Sequence, residues 1–218
     1  LRDIPKAGGK EIVHYQDWID HPDYDDYWKA LSIEERYEDV KIPVLQIGCW
    51  YDVFTIGTLK NYTGMRERGG SEAARAHQKA IVGPWVHKLS ELTHSGLVDF
   101  GKASVLDLNE IEMRWFDRWP KGKDNGAEAD APLRIFVMGV NEWRDEHEWP
   151  LARTSFTPYY FHSDGSANSL QGDGKLSFDA PAEESPDRYA YDPAFPTPTR
   201  GGGNCCNPEI VDWGAFDQ

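Results

Sequence analysis

Apolar positions along this chain change their spacing part-way through its 218 residues. In the first part, short apolar runs alternate with segments of helical period. Pro43-Val44-Leu45-Gln46-Ile47 and Lys79-Ala80-Ile81-Val82 read as buried strands, over 43–47 and 79–83. Pro43 opens the first of them, where a missing N–H is tolerable. Between the strands the pattern predicts a helix from Thr55 to about Arg68. Thr55 stands as its cap, Ile56, Leu59 and Tyr62/Thr63 form one face, and Gly69-Gly70 supply the stop. Strand, helix and strand at this spacing form a βαβ unit, which implies a parallel sheet covered by helices. A further helix is predicted over 103–119. Ser104 and Asp107 suit its start, Leu108, Ile111, Trp115 and Trp119 recur along one side, and Pro120 and Gly122 end it. Trp115, Phe116 and Trp119 read as residues packing on the sheet. Nearer the start, Tyr24, Tyr27, Trp28 and Leu31 suit a short helix with one aromatic face. Ser32 and Glu35 stand at capping-box spacing for another.

From Pro132 the helical period gives way to short runs: Leu133–Met138, Thr157–His162, Lys175–Phe178 and Arg188–Tyr191. Turn residues such as Asn141, Asp164-Gly165 and Gly172-Asp173-Gly174 separate them. Short strands without helices between them predict an antiparallel sandwich. The polar stretch Lys121–Asp130 is the candidate boundary, and the Pro- and Gly-rich 193–204 is a long loop. No internal repeat is visible. The expected fold class is therefore α/β: an α/β domain over 1–126, followed by an all-β domain over 127–218.

Composition narrows the function. A net charge of −14 argues against nucleic acid and anionic membranes as partners, because their phosphates repel such a surface. Nine Trp, ten Tyr and nine Phe supply enough core to argue against disorder. No apolar run reaches the ~18 residues that a transmembrane helix needs. Three cysteines make no disulfide framework: Cys49 ends a strand as a small core residue, and Cys205 and Cys206 are adjacent in a Gly-rich loop. Neither these nor His14, His21, His77, His94, His147 and His162 stand at metal-ligand spacing, so no metal and no cofactor is expected. Asp99-Phe100-Gly101 lacks the nucleotide loop and catalytic-loop motif that a kinase reading would need.

The candidate chemistry lies just past the two strands, in Gly48-Cys49-Trp50-Tyr51-Asp52 and Gly83-Pro84-Trp85-Val86-His87. An Asp after one parallel strand and a His after the next is the second half of a Ser-Asp-His triad, whose chain order in α/β-hydrolases is Ser, Asp, His. Imidazole near its ordinary pKa of about 6.5 can take a serine proton and return it to a leaving group. A carboxylate beside it fixes the tautomer and steadies the imidazolium. An Asp here would also suit the start of a helix near Thr55, and a lone His is ordinarily just a satisfied polar group. Their paired placement favours catalysis by Asp52 and His87. Trp50, Tyr51 and Trp85 are expected to pack beside them, with substrate binding as the lesser alternative.

These segments, with Tyr24-Asp25-Asp26-Tyr27-Trp28, Arg114-Trp115-Phe116-Asp117, Ile135-Phe136-Val137-Met138-Gly139, Trp143, Trp149-Pro150 and Pro198-Thr199-Arg200-Gly201-Gly202, carry a family likeness. The chain resembles the CocE/NonD acyl esterases, the group that includes cocaine esterase, α-amino-acid ester hydrolases and X-Pro dipeptidyl-peptidases. The resemblance implies an α/β-hydrolase domain with a helical cap and a C-terminal jelly-roll domain, with Asp52 and His87 at the positions of the triad Asp and His. The family's nucleophile sits in a Gly-x-Ser-Tyr-x-Gly elbow, with an oxyanion hole from a Tyr hydroxyl and the amide after the Ser. No Gly-x-Ser-x-Gly occurs in this chain.

The chain is thus expected to be the end of the cap, the last part of the hydrolase domain and the first part of the jelly roll. The rest of the same polypeptide would supply the Ser, and on its own the piece would be inactive. It opens on Leu1 and stops at Gln218, ends that read as cut. The expected activity is cleavage of a small-molecule ester or amide through an acyl-enzyme. X-Pro dipeptidyl-peptidase activity and a non-catalytic β-sandwich binding module stand as alternatives. A homo-oligomer is left open, a cytoplasmic location is slightly favoured, and secretion is left open because the N-terminus reads as missing.

Overall fold

The computed structural model describes residues 13–87, 91–204 and 211–217, in two compact units: 1–149 with 200–218, and 150–199. These units and the sequence boundary at 126/127 do not coincide.

The larger unit begins with helices α1 (Val13–Asp20) and α2 (Asp26–Leu31). Asp25 caps α2 by accepting from the Tyr27 N–H, and its other oxygen lies 2.5 Å from His21 Nδ1. The His21 ring stacks on Tyr27 at 4.5 Å, while the Trp28 indole donates to the His21 carbonyl. The short helix forms, but its expected aromatic face does not: Tyr24 lies before the helix, and Tyr24 and Leu31 stay exposed. Ser32 caps only a single 3-10 turn, Ile33–Glu35, and Glu35 accepts from the Tyr24 hydroxyl instead of closing a capping box.

Strand β1 (Leu45–Tyr51) leads into α3 (Thr55–Arg68), a short α4 (Glu72–Ala76) and β2 (Lys79–Val86). β1 and β2 are parallel, from Leu45 beside Lys79 to Tyr51 beside Val86, as a βαβ unit requires. The face that α3 buries is shifted from the expected one. Leu59, Tyr62 and Met65 are buried, and Ile56 is 70 % exposed. Thr55 is the first helical residue rather than an acceptor cap; its hydroxyl donates to the carbonyls of Cys49 and Asp52.

Next come a two-strand ribbon, β3 (His94–Ser95) with β4 (Val98–Asp99), and helix α5 (Leu108–Arg118). α5 starts later than expected because Asp107 is its cap, accepting from the Glu110 N–H; residues 102–104 form a separate 3-10 turn. Leu108 and Trp115 are buried, whereas Phe116 is 52 % exposed and does not pack on the sheet. α5 lies over the β1 and β2 face that carries Cys49 and Ile81. The opposite face of β1 meets α3, where a Cβ on Gly48 would come within 3.0 Å of Thr58.

β5 (Leu133–Val137) corrects the expected sandwich. It pairs in parallel with β2, and β6 (Glu142–Glu146) pairs antiparallel with β5, giving one mixed sheet in the order β1-β2-β5-β6. The reason is burial on both faces: Leu133, Ile135 and Phe136 are each at most 4 % exposed, as in a central strand and not an alternating one. Asp130, at the start of β5, accepts from Lys79 Nζ at 3.2 Å and from Arg114, tying β2 and α5 together. Burial pushes the Asp130 carboxyl up, but Arg114 and Lys79 outweigh it and hold it below the usual carboxylate value. A depressed folded-state pKa stabilises the fold above the unfolded value, and that stabilisation fades as pH falls through the folded one. The thermal midpoint is therefore expected to fall below about pH 4, and Asp130→Asn to flatten part of that fall. An unchanged acid limb in the variant would count against this linkage.

The smaller unit, 150–199, is built around one antiparallel ribbon, β7 (Tyr160–His162) with β8 (Lys175–Ser177). His162 Nδ1 lies 2.6 Å from Glu184 Oε1, and that hydrogen bond raises the imidazole pKa. Residues 188–191 form no strand: Tyr189 and Tyr191 extend into solvent at 83 % and 72 % exposure.

Candidate active site

β1 and β2 deliver Asp52 and His87 to the same end of the sheet. Between Cys49 and Tyr51 the β1 register advances two residues, while β2 advances three, from Gly83 to Val86. The additional residue is a bulge at Pro84-Trp85. Pro has no N–H to give a ladder and is admitted to a strand at a bulge. The bulge sets Val86 beside Tyr51, so the next residues, His87 and Asp52, emerge level with one another.

The two side chains meet. His87 Nδ1 lies 3.0 Å from Asp52 Oδ2. The Asp52 side chain is 9 % exposed and that of His87 38 %, so the carboxylate is shielded while the imidazole reaches outward. The other carboxylate oxygen, Oδ1, accepts from the Phe54 N–H at 3.1 Å. The Asp52 carbonyl accepts from the Thr55 hydroxyl at 2.8 Å and from its N–H at 3.3 Å. The turn thus fixes Asp52 from both of its polar ends. The Phe54 ring packs on the His87 ring at 5.3 Å between centroids.

The comparisons with known proteins bear on the chain that carries this pair. Residues 3–89 match the family described as X-Pro dipeptidyl-peptidase (S15 family), and residues 125–207 match the X-Pro dipeptidyl-peptidase C-terminal non-catalytic domain. Cocaine esterase of Rhodococcus sp. (strain MB1 Bresler) is 37 % identical over 188 residues, which are 84 % of this chain and 31 % of that protein. These matches make the chain similar to a fragment of the group that holds cocaine esterase and the X-Pro dipeptidyl-peptidases. The solved aminopeptidase from the marine sediment archaeon Thaumarchaeota archaeon shares the fold, with a TM-score of 0.63 and 23 % identity over 89 % of this chain and 30 % of its own. The chain spans about a third of the length of each of these relatives.

The three aromatic candidates go to different places. Trp85 is 2 % exposed; its indole donates to the Ser104 carbonyl at 2.9 Å and its ring meets Trp143 at 5.6 Å, in the core beneath the bulge. Trp50 reaches over β2 to donate to the Phe136 carbonyl at 2.8 Å, and its ring lies 6.1 Å from Trp149. Tyr51 lies partly buried with its ring 6.3 Å from that of Phe100, and burial raises its hydroxyl pKa. Cys49 is 1 % exposed, and burial pushes its thiol up to about 12, so it is an inert core residue as expected. Cys205 and Cys206 lie outside the described residues. Among the described residues, no group of three or more His, Cys, Asp or Glu is arranged to hold a metal.

Two contributors escaped the sequence reading. Phe54 supplies both an N–H to the Asp52 carboxylate and a ring to His87, and Thr55 anchors the turn. An Asp followed two residues later by a backbone donor is an Asx turn, a signal present at Asp52. The ring contact depends on β2 and has no local signal.

Proposed function

We propose that Asp52 and His87 are the orienting carboxylate and the general base, then acid, of a Ser-Asp-His triad in a serine hydrolase that cleaves carboxylic esters. The observation that carries this reading is the 3.0 Å contact between Oδ2 and Nδ1 at the carboxyl ends of adjacent parallel strands. Nδ1–H donates to the carboxylate, which leaves Nε2 to serve the nucleophile. A serine from the part of the polypeptide upstream of Leu1 attacks the ester carbonyl and its proton passes to Nε2. The tetrahedral intermediate expels the alcohol, which takes that proton. Water then attacks the acyl-enzyme by the same route and releases the acid.

In this reading residues 1–126 complete a cap and an α/β-hydrolase domain whose sheet extends through β5 and β6, and a jelly-roll domain opens beyond them. No metal or cofactor takes part. The substrate is a small-molecule ester or amide. Trp50, Tyr51 and Trp85 act by excluding water and bracing the strands rather than by touching substrate. X-Pro dipeptidyl-peptidase activity is the second reading, supported by the family descriptions matched at 3–89 and 125–207. The test is substitution of Asp52 and His87 in the full-length protein, with turnover read on an acyl ester and on an X-Pro anilide. Ester turnover that dies with either substitution supports the esterase, anilide turnover alone supports the peptidase, and full activity in both variants removes the triad.

A further inference from the structure

After the smaller unit, the chain rejoins the larger one at Arg200, and this segment meets the Asp52 turn and the Ser95 ribbon. Gly202 and Gly214 exchange backbone hydrogen bonds, N–H to O at 2.6 Å and 3.0 Å. Ala215 then clamps the β3 ribbon: its N–H donates to the Ser95 carbonyl at 3.2 Å, and its carbonyl accepts from the Leu97 N–H at 2.7 Å. Side chains are excluded from this junction. Gly214 has a φ of +90°, and a Cβ there would stand 2.5 Å from the Gly96 nitrogen. The Arg200 guanidinium lies 5.0 Å over the Phe216 ring. Asn204 Nδ2 donates to the Gly201 carbonyl at 2.5 Å, which closes the turn.

One arm of this strap reaches Asp52. Gly203 lies against the backbone of the Asp52 turn, where a Cβ would be 3.4 Å from the Asp52 carbonyl carbon and oxygen and 3.6 Å from the Val53 nitrogen. The other arm reaches the strand of His87. Ser95, 2 % exposed and held by Ala215, donates its hydroxyl to the carbonyl of Pro84, inside the bulge that sets the level of His87.

We propose that the Gly201–Gly203 strap and Ser95 are positioning elements for the Asp52–His87 pair, seating the Asp52 turn directly and the β2 bulge through the Ser95–Pro84 hydrogen bond. The inference rests on the triad reading above. It assigns a part in catalysis to residues inside the stretch 125–207 that matches a non-catalytic domain. Neither Gly203 nor Ser95 touches a reacting atom. Each acts on the separation of two groups whose useful geometry is narrow, since a displacement of about 1 Å can cost ~100-fold in rate.

The test uses the full-length protein with Gly203→Val, Gly203→Ala, Ser95→Ala and, as a control for stability alone, Gly139→Ala in the exposed β5–β6 turn. For each, kcat, KM, the pH dependence of kcat/KM and the thermal midpoint are measured. Gly203→Ala makes only an ordinary contact and is expected to stay near wild type. Gly203→Val crowds the Asp52 turn and is expected to lower kcat by roughly 10- to 100-fold with KM little changed. Its kcat/KM profile against pH should differ from that of wild type, because the displaced carboxylate no longer holds the imidazole in place. Ser95→Ala is expected to change the same profile and kcat by less, and it carries the test where Gly203→Val does not fold. Losses that follow the thermal midpoint as in Gly139→Ala, with an unmoved pH profile, would overturn the proposal. If His87→Ala also keeps full turnover, the triad reading falls first; if His87→Ala is inactive and the strap variants are normal, only the strap role falls.

Discussion

Asp52→Asn in the full-length protein is expected to lower kcat on an acyl ester by about 10⁴-fold at neutral pH, with KM nearly unchanged. The carboxylate accepts from His87 Nδ1 at 3.0 Å, and its second oxygen is held by the Phe54 N–H. An amide in its place can turn its NH₂ toward the ring. The proton then sits on Nε2, where it blocks proton transfer from the serine. The carboxylate's support for the imidazolium is lost as well. His87→Ala removes the base itself and should cost more, on the order of 10⁵- to 10⁶-fold. Both losses belong in kcat, because neither group contributes to binding the ground state. A variant that instead raised KM at constant kcat would mark these residues as binding groups.

Phe136→Ala is expected to be the most damaging change to the fold outside the site, destabilising it by about 3–5 kcal/mol. Phe136 is 1 % exposed, lies between Phe100 and Trp143 at ring distances of 6.0 and 5.3 Å, and offers its carbonyl to the Trp50 indole. Its removal leaves a cavity where β5 joins the parallel sheet. In a domain of this size such a loss corresponds to a fall of the thermal midpoint of about 10 °C or more. Met138→Ala, 40 % exposed just beyond the same strand, should stay within about 0.5 kcal/mol of wild type. Equal effects at the two positions would mean that β5 is not the buried central strand described.

The local elements were legible because their signals are local. β1, α3 and β2 follow from apolar runs and a helical segment of the right lengths, and their order dictates a parallel crossover that carries Asp52 and His87 to one sheet end. What the sequence hid was pairing between distant segments. Leu133–Val137 alternates well enough to pass for a sandwich strand; only its place beside β2 accounts for the burial of both Ile135 and Phe136. By spacing Ile56 belongs to the α3 core face, yet the face is fixed by where α3 meets β1, and Ile56 falls on the solvent side. The bulge had a visible sign in Pro84 within a buried run, but its consequence for the level of His87 required the β1 register. The strap could not be read at all: Gly201–Gly203 looks like a loop until Gly214 is brought beside Gly202.

The most direct measurement is fluorophosphonate labelling of the full-length protein, wild type and His87→Ala, with the labelled residue found by peptide mass analysis. The triad reading predicts rapid labelling of a single serine upstream of Leu1 and its near-complete loss in His87→Ala. Label on a serine within residues 1–218, or equal labelling in the variant, would contradict it.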